Sequence, residues 1–139
     1  MRKGLTIEEL GDLVELPLLA VLATHRQDGS VMLSPVWHEW RDGGFNVVTR
    51  SSDGKVKHLR GDPRANIVVC EHSPPYRAVE LRTDARLVTE GVEEATIRIA
   101  SRYLGPEGAA DYAAEGGDDL LVRLEPGHLR TWDFADDLA

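Results

Sequence analysis

Cysteine, basic charge and long apolar runs are what this chain has least of. Its 139 residues hold one cysteine, Cys70, so no internal disulfide can form and a reducing compartment is expected. Cys70 lies in the apolar run ANIVVCEH, where a thiol serves as a small buried hydrophobe. Sixteen Lys and Arg face 24 Asp and Glu, a net charge of −8. A field of that sign repels polyanions, which excludes a general binder of nucleic acid or of anionic membranes. No apolar run approaches the roughly 18 residues of a membrane span, and MRKGLTIEEL carries charge without a following apolar stretch. The expectation is a soluble, cytoplasmic protein. P-loop, G-x-S-x-G and G-x-G-x-x-G motifs are missing, so nucleotide-hydrolase, serine-hydrolase and dinucleotide-fold readings have no support. His38 and Glu39 are adjacent and project to opposite faces of a strand. Cys70 and His72 share a face, with no third ligand at suitable spacing. No metal site is expected.

What is present suits one globular domain over residues 1–139: 42% of the residues are apolar, enough for one core and too few residues for two. LTIEELGDLVEL, with Thr6 as cap and apolar residues at three- and four-residue steps, predicts an amphipathic helix ended by Pro17. LLAVLATHR reads as a buried strand. QDGS is a hairpin turn, VMLSPVWHEW a ten-residue strand, RDGG a second turn and FNVVTR a third strand. SDGKVKHLRGDP predicts a helix capped by Asp53 and stopped by Gly61 and Pro63. RANIVVCEH is a strand, SPPY a loop, and RAVELRTDARLVTE a long strand bent near Arg82–Asp84. VEEATIRIASRYLG predicts a helix with Ile97, Ile99 and Leu104 on its apolar side and Gly105 as C-cap. PEGAADYAAEGGD is a short helix or a loop, and DLLVRLEPGHLRTWDF gives two strands around Glu125–Gly127. The sum is a mainly β protein: an antiparallel split β-barrel of six to seven strands with about three outer helices. Its uncovered strand edges predict a homodimer.

Two stretches carry candidate chemistry. In TRSSDGKVKHLR, five basic or potentially basic side chains crowd into twelve residues of an acidic chain. A strand-to-helix junction there would offer free helix N–H groups, the hydroxyls of Thr49, Ser51 and Ser52, the ammonium of Lys55 and the guanidinium of Arg50, an arrangement suited to an anion. The competing reading is a solvated helix start with ordinary caps. In LSPVWHEW, Pro35 removes a ladder donor and marks an edge or a close approach, and two Trp within four residues can flank a flat ligand or simply pack.

Taken in order, A-T-x-x-x-D-G, S-P-V-W, T-R and K-x-x-x-L-x-x-D-P-R, together with PPYRAVELRTDARLV and LVRLEPGHLRTWDF, resemble the FMN-binding split β-barrel superfamily. That superfamily holds the pyridoxamine-phosphate oxidases and relatives that use the deazaflavin coenzyme F420. The resemblance covers nearly the whole chain and is nearest to the F420-using branch. It implies a dimer with two cofactor sites at the interface. Thr49, Arg50, Ser51 and Lys55 would hold the cofactor phosphate, and Ser34, Pro35, Val36 and Trp37 would pass beside the ring. Lys57, His58 and Arg60 would lie near the tail, and Trp132 would close a pocket in the partner subunit. Ser34 and Glu39 stand where the oxidases carry basic side chains for the FMN phosphate, which favours F420 over FMN. The function implied is an F420-dependent oxidoreductase that passes a hydride to an unsaturated small molecule, such as a quinone-like compound or a tetrapyrrole. The alternatives are an FMN-dependent oxidoreductase and a non-enzymatic carrier of flavin, haem or tetrapyrrole. Arg77, Arg82, Arg86 and Arg130 are candidates to meet carboxylates of such an acceptor.

Overall fold

The structure, a computed structural model, describes residues 1–125 and 127–138, with only the backbone of Leu138. The elements in chain order are β1 (Arg2–Lys3), two 3₁₀ turns (Glu8–Leu10 and Leu13–Glu15), β2 (Ala20–His25), β3 (Val31–Val36), β4 (Glu39–Arg41), β5 (Gly44–Arg50), α1 (Gly54–Gly61), β6 (Arg64–Cys70), β7 (Arg77–Val88), α2 (Val92–Ala114), β8 (Asp119–Leu124), β9 (His128–Asp133) and α3 (Ala135–Leu138). All strand pairs are antiparallel, and seven strands run in the order β3-β2-β6-β7-β8-β5-β4. β7 holds the barrel together. Its residues 78–84 pair with β6, and residues 77–82 pair with β9 on the other side. Residues 85–88 leave both and pair with β8. The bend expected near Arg82–Asp84 is therefore where one sheet hands over to the other. The turn expected at Glu125–Gly127 includes Pro126, which lies outside the described residues.

Alternation sets the core. Ala20, Leu22 and Thr24 of β2 and Ala65, Ile67 and Val69 of β6 are buried, while their neighbours face outward or sit half-covered, and β5 is buried on both faces from Gly44 to Val47. The 42–43 turn has positive φ at both central residues, Asp42 (52°) and Gly43 (76°), the combination a two-residue hairpin turn requires. Arg123 closes it by donating to the carbonyls of Arg41 (2.6 Å) and Asp42 (2.7 Å).

The structure departs from the sequence reading in three places. The expected N-terminal helix is two separate 3₁₀ turns. Thr6 and Glu9 do form the reciprocal cap, at 3.1 and 3.2 Å, but Gly11 adopts φ 68° and breaks the run. VMLSPVWHEW is two strands rather than one, because Trp37 and His38 leave the ladder. Val36, His38 and Glu39 are all buried, a pattern strict alternation cannot give. Gly105 does not end its helix. It kinks it, with φ 78° and ψ 168°, and residues 106–114 continue as a second arm. Ile99 is buried as expected, but Ile97 and Leu104 are 42% and 46% exposed. The face that packs is Ala95, Thr96, Ile99 and Ala100, small residues that let the helix lie close against the barrel.

The outer face of β3 and β2 is apolar. Val31 and Leu33 are 45% and 67% exposed. Pro35 and Leu33 stand opposite Val21 and Ala23, and Val68 of β6 stands beside Val21.

Candidate functional site

The strand-to-helix junction forms as the residue types require. β5 ends at Arg50, and Asp53 caps α1 by accepting from the Lys55 backbone N–H at 3.4 Å. The Lys55 side chain folds back. Its Nζ lies 2.8 Å from Asp53 Oδ2 and 3.4 Å from Thr49 Oγ1, and Thr49 donates to Asp53 Oδ2 at 3.1 Å. The bond from Lys55 outweighs the opposing effect of burial and lowers the Asp53 pKa. Lys55 is nine-tenths buried, at 9% exposure. It lines a cavity of about 250 Å³ with Pro35, Val36 and Trp37 of the β3–β4 segment, Val48 of β5, and Thr96, Ile99, Ala100 and Tyr112 of α2.

The indole of Trp37 is fixed in that wall. It stacks on Tyr103 (centroids 4.9 Å apart, planes at 7°) and meets Tyr112 at 5.2 Å and 44°. Tyr103 is itself tied down. Its hydroxyl donates to the Leu18 carbonyl at 2.8 Å, accepts from the His38 backbone N–H at 3.2 Å and lies 3.1 Å from His38 Nδ1. His38 is fully buried. Burial, with a smaller contribution from the charge of Arg102, pushes its pKa down to about 4, so the ring is neutral at pH 7.

Thr49 and Arg50 line an adjoining cavity of about 90 Å³ that shares Val48 and Tyr112 with the first and also has Glu115 and Asp119 in its wall. Pro35, Val36, Trp37 and Lys55 thus converge on one cavity, and Thr49 and Arg50 on its neighbour. Ser34, Ser51, Lys57, Arg60 and Trp132 line neither. Ser51 instead donates to Asp118 Oδ2 at 2.7 Å. Lys57 and Arg60 are exposed on the solvent side of α1, because the buried stripe of that helix is Lys55, Val56 and Leu59. His58 reaches Thr24 Oγ1 at 3.1 Å. Trp132 lines a different cavity, with Lys3 and Phe134.

The sequence reading did not identify the α2 wall. Nothing in the order of residues says that Thr96, Ala100 and Tyr112 share a cavity with Trp37, since that depends on how the helix docks. An ion pair is one of the contacts that dock it, beside the bonds of Arg102 to the Val14 and Leu16 carbonyls. Glu39, buried on β4, accepts from Arg98 of α2 through both oxygens (3.0 and 2.9 Å) and from Asn46 Nδ2 at 2.8 Å. Burial alone would raise the Glu39 pKa, but the bonds from Arg98 and Asn46 outweigh it and leave it lowered. Of the candidate arginines, Arg77 is held by Glu71 and Asp12, Arg86 by Glu125 and Arg130 by Glu80. Arg82 enters no ion pair among the described residues. Cys70, half-buried, donates to the Glu71 carbonyl, and burial raises its pKa. No cluster of three or more His, Cys, Asp and Glu suited to a metal occurs among the described residues, and no described helix is long and apolar enough to cross a membrane.

The site therefore has a flat aromatic and apolar wall at one end. At the other end, a buried ammonium, a hydroxyl and a helix start come together. That arrangement suits an elongated ligand with a planar head and an anionic portion.

Known proteins carry the same architecture. The conserved hypothetical protein Rv2991 from Mycobacterium tuberculosis is 25% identical, with a TM-score of 0.82 over 93% of this chain and 85% of that one. A structure described as an F420 reductase is 26% identical, with a TM-score of 0.70 over 85% of this chain and 93% of that one. HutZ, a haem storage protein from Vibrio cholerae, shares the fold at 18% identity, with a TM-score of 0.70 over 88% of this chain and 92% of that one. No match is found among curated proteins. The family profile described as pyridoxamine 5'-phosphate oxidase matches residues 6–133, which with the split barrel establishes that the chain belongs to the pyridoxamine 5'-phosphate oxidase-like family.

Proposed function

We propose that this chain is an F420-dependent reductase acting as a homodimer on an unsaturated small molecule such as a quinone-like compound or a tetrapyrrole. The observation that carries the choice of cofactor is Glu39. Where the resemblance places a cation for the FMN phosphate in the oxidases, this chain buries a carboxylate, and Arg98 and Asn46 occupy it. Position 34 is likewise a neutral Ser. Arg98 is spent on that carboxylate, so position 39 offers a phosphate no free cation. The 26% identity to a protein described as an F420 reductase supports the same choice.

The residues present fit the group. Lys55, Thr49 and the N–H groups at the start of α1 would hold its phosphate, and Pro35, Val36 and Trp37 would lie beside its ring. When bound, reduced F420 supplies a hydride from C5 of the ring. The protein's part is to bind and to orient. Asp53 keeps the Lys55 ammonium in place, Tyr103 keeps the Trp37 plane in place, and the second arm of α2 contributes Tyr112 to the cavity wall.

The test is a pair of titrations on the purified protein, one following quenching of F420 fluorescence and one following FMN. Submicromolar F420 binding with FMN at least tenfold weaker is expected, followed by acceptor-dependent oxidation of reduced F420. Purification with tightly held FMN and no F420 quenching would overturn the proposal. F420 binding without turnover of any acceptor would leave a carrier.

A further inference from the structure

We propose that His38, as its Nδ1–H tautomer, is a positioning residue for the ring end of the Lys55 cavity: it clamps the hydroxyl of Tyr103, and Tyr103 holds the plane of Trp37. The role rests on the reading of that cavity as the place of the cofactor ring. Trp37 lines the cavity, whereas His38 and Tyr103 are not among its lining residues, so both act from behind the wall.

Three distances around one oxygen fix where the protons lie. The Tyr103 hydroxyl is 2.8 Å from the Leu18 carbonyl, 3.2 Å from the His38 backbone nitrogen and 3.1 Å from His38 Nδ1. Burial raises the Tyr103 pKa, so the phenol keeps its one proton at pH 7. A carbonyl can only accept. A phenol proton turned towards Nδ1 would leave two bare oxygens facing each other at 2.8 Å, so the proton goes to Leu18. Nδ1 must then donate, or two lone pairs would meet at 3.1 Å. The ring is neutral at pH 7, so its single proton sits on Nδ1 and Nε2 is bare. Nε2 is buried and finds no protein partner among the described residues, a placement that costs stability. The ring is held for its Nδ1–H in spite of that cost.

The wall needs such a clamp because Trp37 and His38 lie between β3 and β4, outside the strand ladder. The Tyr103 oxygen stands in for a ladder acceptor to the His38 N–H, and Nδ1–H makes the grip two-pronged. Tyr103 is anchored in turn. Arg102, beside it on α2, donates to the carbonyls of Val14 and Leu16, so that with Leu18 three alternate carbonyls of one segment hold this turn of the helix. The indole stacks on the phenol so anchored, at 4.9 Å and 7°.

The first test needs no cofactor. Nitrogen NMR of the full chain with labelled histidine, at pH 7, should show His38 with Nδ1 protonated and Nε2 bare. Its signal is the one of the five histidines that is missing from His38→Asn. An Nε2–H tautomer would overturn the proposal. The second test compares three variants. Asn can present an amide N–H where Nδ1 lies, Leu matches Asn in size without a donor, and Gln carries its amide out towards the place of Nε2. His38→Asn should keep the near-ultraviolet dichroism of the Trp37–Tyr103 stack and hold F420 affinity within about twofold. His38→Leu and His38→Gln should lose that dichroism and bind F420 about fivefold more weakly, the equivalent of one hydrogen bond. Equal dichroism and equal F420 affinity in His38→Asn and His38→Leu would reduce His38 to packing and overturn the proposal. If the unmodified protein binds no F420, the cofactor reading fails alone, because the tautomer and the dichroism still decide the role of His38.

Discussion

Lys55 is the residue on which the proposed cofactor site turns, and its surroundings change what its removal should do. It is not a solvated lysine on a helix start, because Asp53 and Thr49 hold it in a nearly closed position. Lys55→Ala should weaken F420 binding about ten- to a hundredfold, the equivalent of roughly 1.5–3 kcal/mol for a charge-assisted contact. It should also cost about 1 kcal/mol of stability through the lost bond to Asp53. Lys57→Ala, on the exposed side of the same helix, is the control and should change F420 affinity less than twofold in the same fluorescence titration. His38 gives a second residue-scale test. Its folded pKa of about 4 lies below the ordinary 6.5, so the unfolded chain binds the proton more readily. Stability is then fully present above pH 6.5 and is lost as pH falls towards 4, by an amount on the order of 3 kcal/mol. Urea unfolding at pH 7 and pH 5 should show most of the fall between those values, above the range in which carboxylates titrate. His38→Phe should flatten that slope, and an unchanged slope would mean that His38 is not its source.

At the scale of elements, the kink in α2 decides where Tyr112 falls. Gly105 holds φ 78° and ψ 168°, a region open to glycine and strained for other residues. Gly105→Ala should therefore cost about 1–3 kcal/mol and lower the melting temperature. It should also alter the fluorescence of Trp37 by moving Tyr112 against it. A loss of stability with no spectral change would separate the two arms of the helix. The same element shows how far the sequence could be read. The helical period of residues 92–104 is plain in the sequence, but Ile97 and Leu104 face solvent while Ala95 and Ala100 pack. Size complementarity at a helix–barrel contact favours small residues, and a count of apolar positions does not reveal that. Asp53 as cap and the Asp42–Gly43 turn were legible because each rests on one local hydrogen bond or one dihedral requirement. The 3₁₀ turns at residues 8–15 were not, because Gly11 overrides a cap that otherwise forms. At the site, the Pro35–Trp37 segment and Lys55 were legible from local chemistry and family pattern. Thr96, Ala100, Tyr112 and the Glu39–Arg98 pair were not, since they depend on contacts between residues 59 apart and more.

For the whole molecule, the outer face of β2, β3 and β6 governs assembly. Sheets buried on one face alternate apolar-in and polar-out, yet here Val31, Leu33 and Pro35 on β3, Val21 and Ala23 on β2 and Val68 on β6 are outward and apolar, with His25 and Asn66 at one end of the patch. β3 is also the end of the strand order, so its free edge adjoins this apolar surface. A contiguous patch of that kind on a chain with net charge −8 is costly unless it is covered, and a second copy placing the same face against it would cover both at once. The proposed homodimer therefore predicts a particle of about twice the 15.4 kDa chain mass by light scattering at micromolar concentration. Leu33, 67% exposed in the single chain, tests the face directly. Leu33→Asp leaves the core untouched, because its side chain points away from it, and should convert the dimer to monomer by setting two like charges against each other across the interface. If F420 is shared between subunits, the same variant should lose F420 binding in parallel with dissociation. A wild type that stays at 15.4 kDa would refute the dimer, and monomeric Leu33→Asp protein with full F420 affinity would show that each chain binds the cofactor alone.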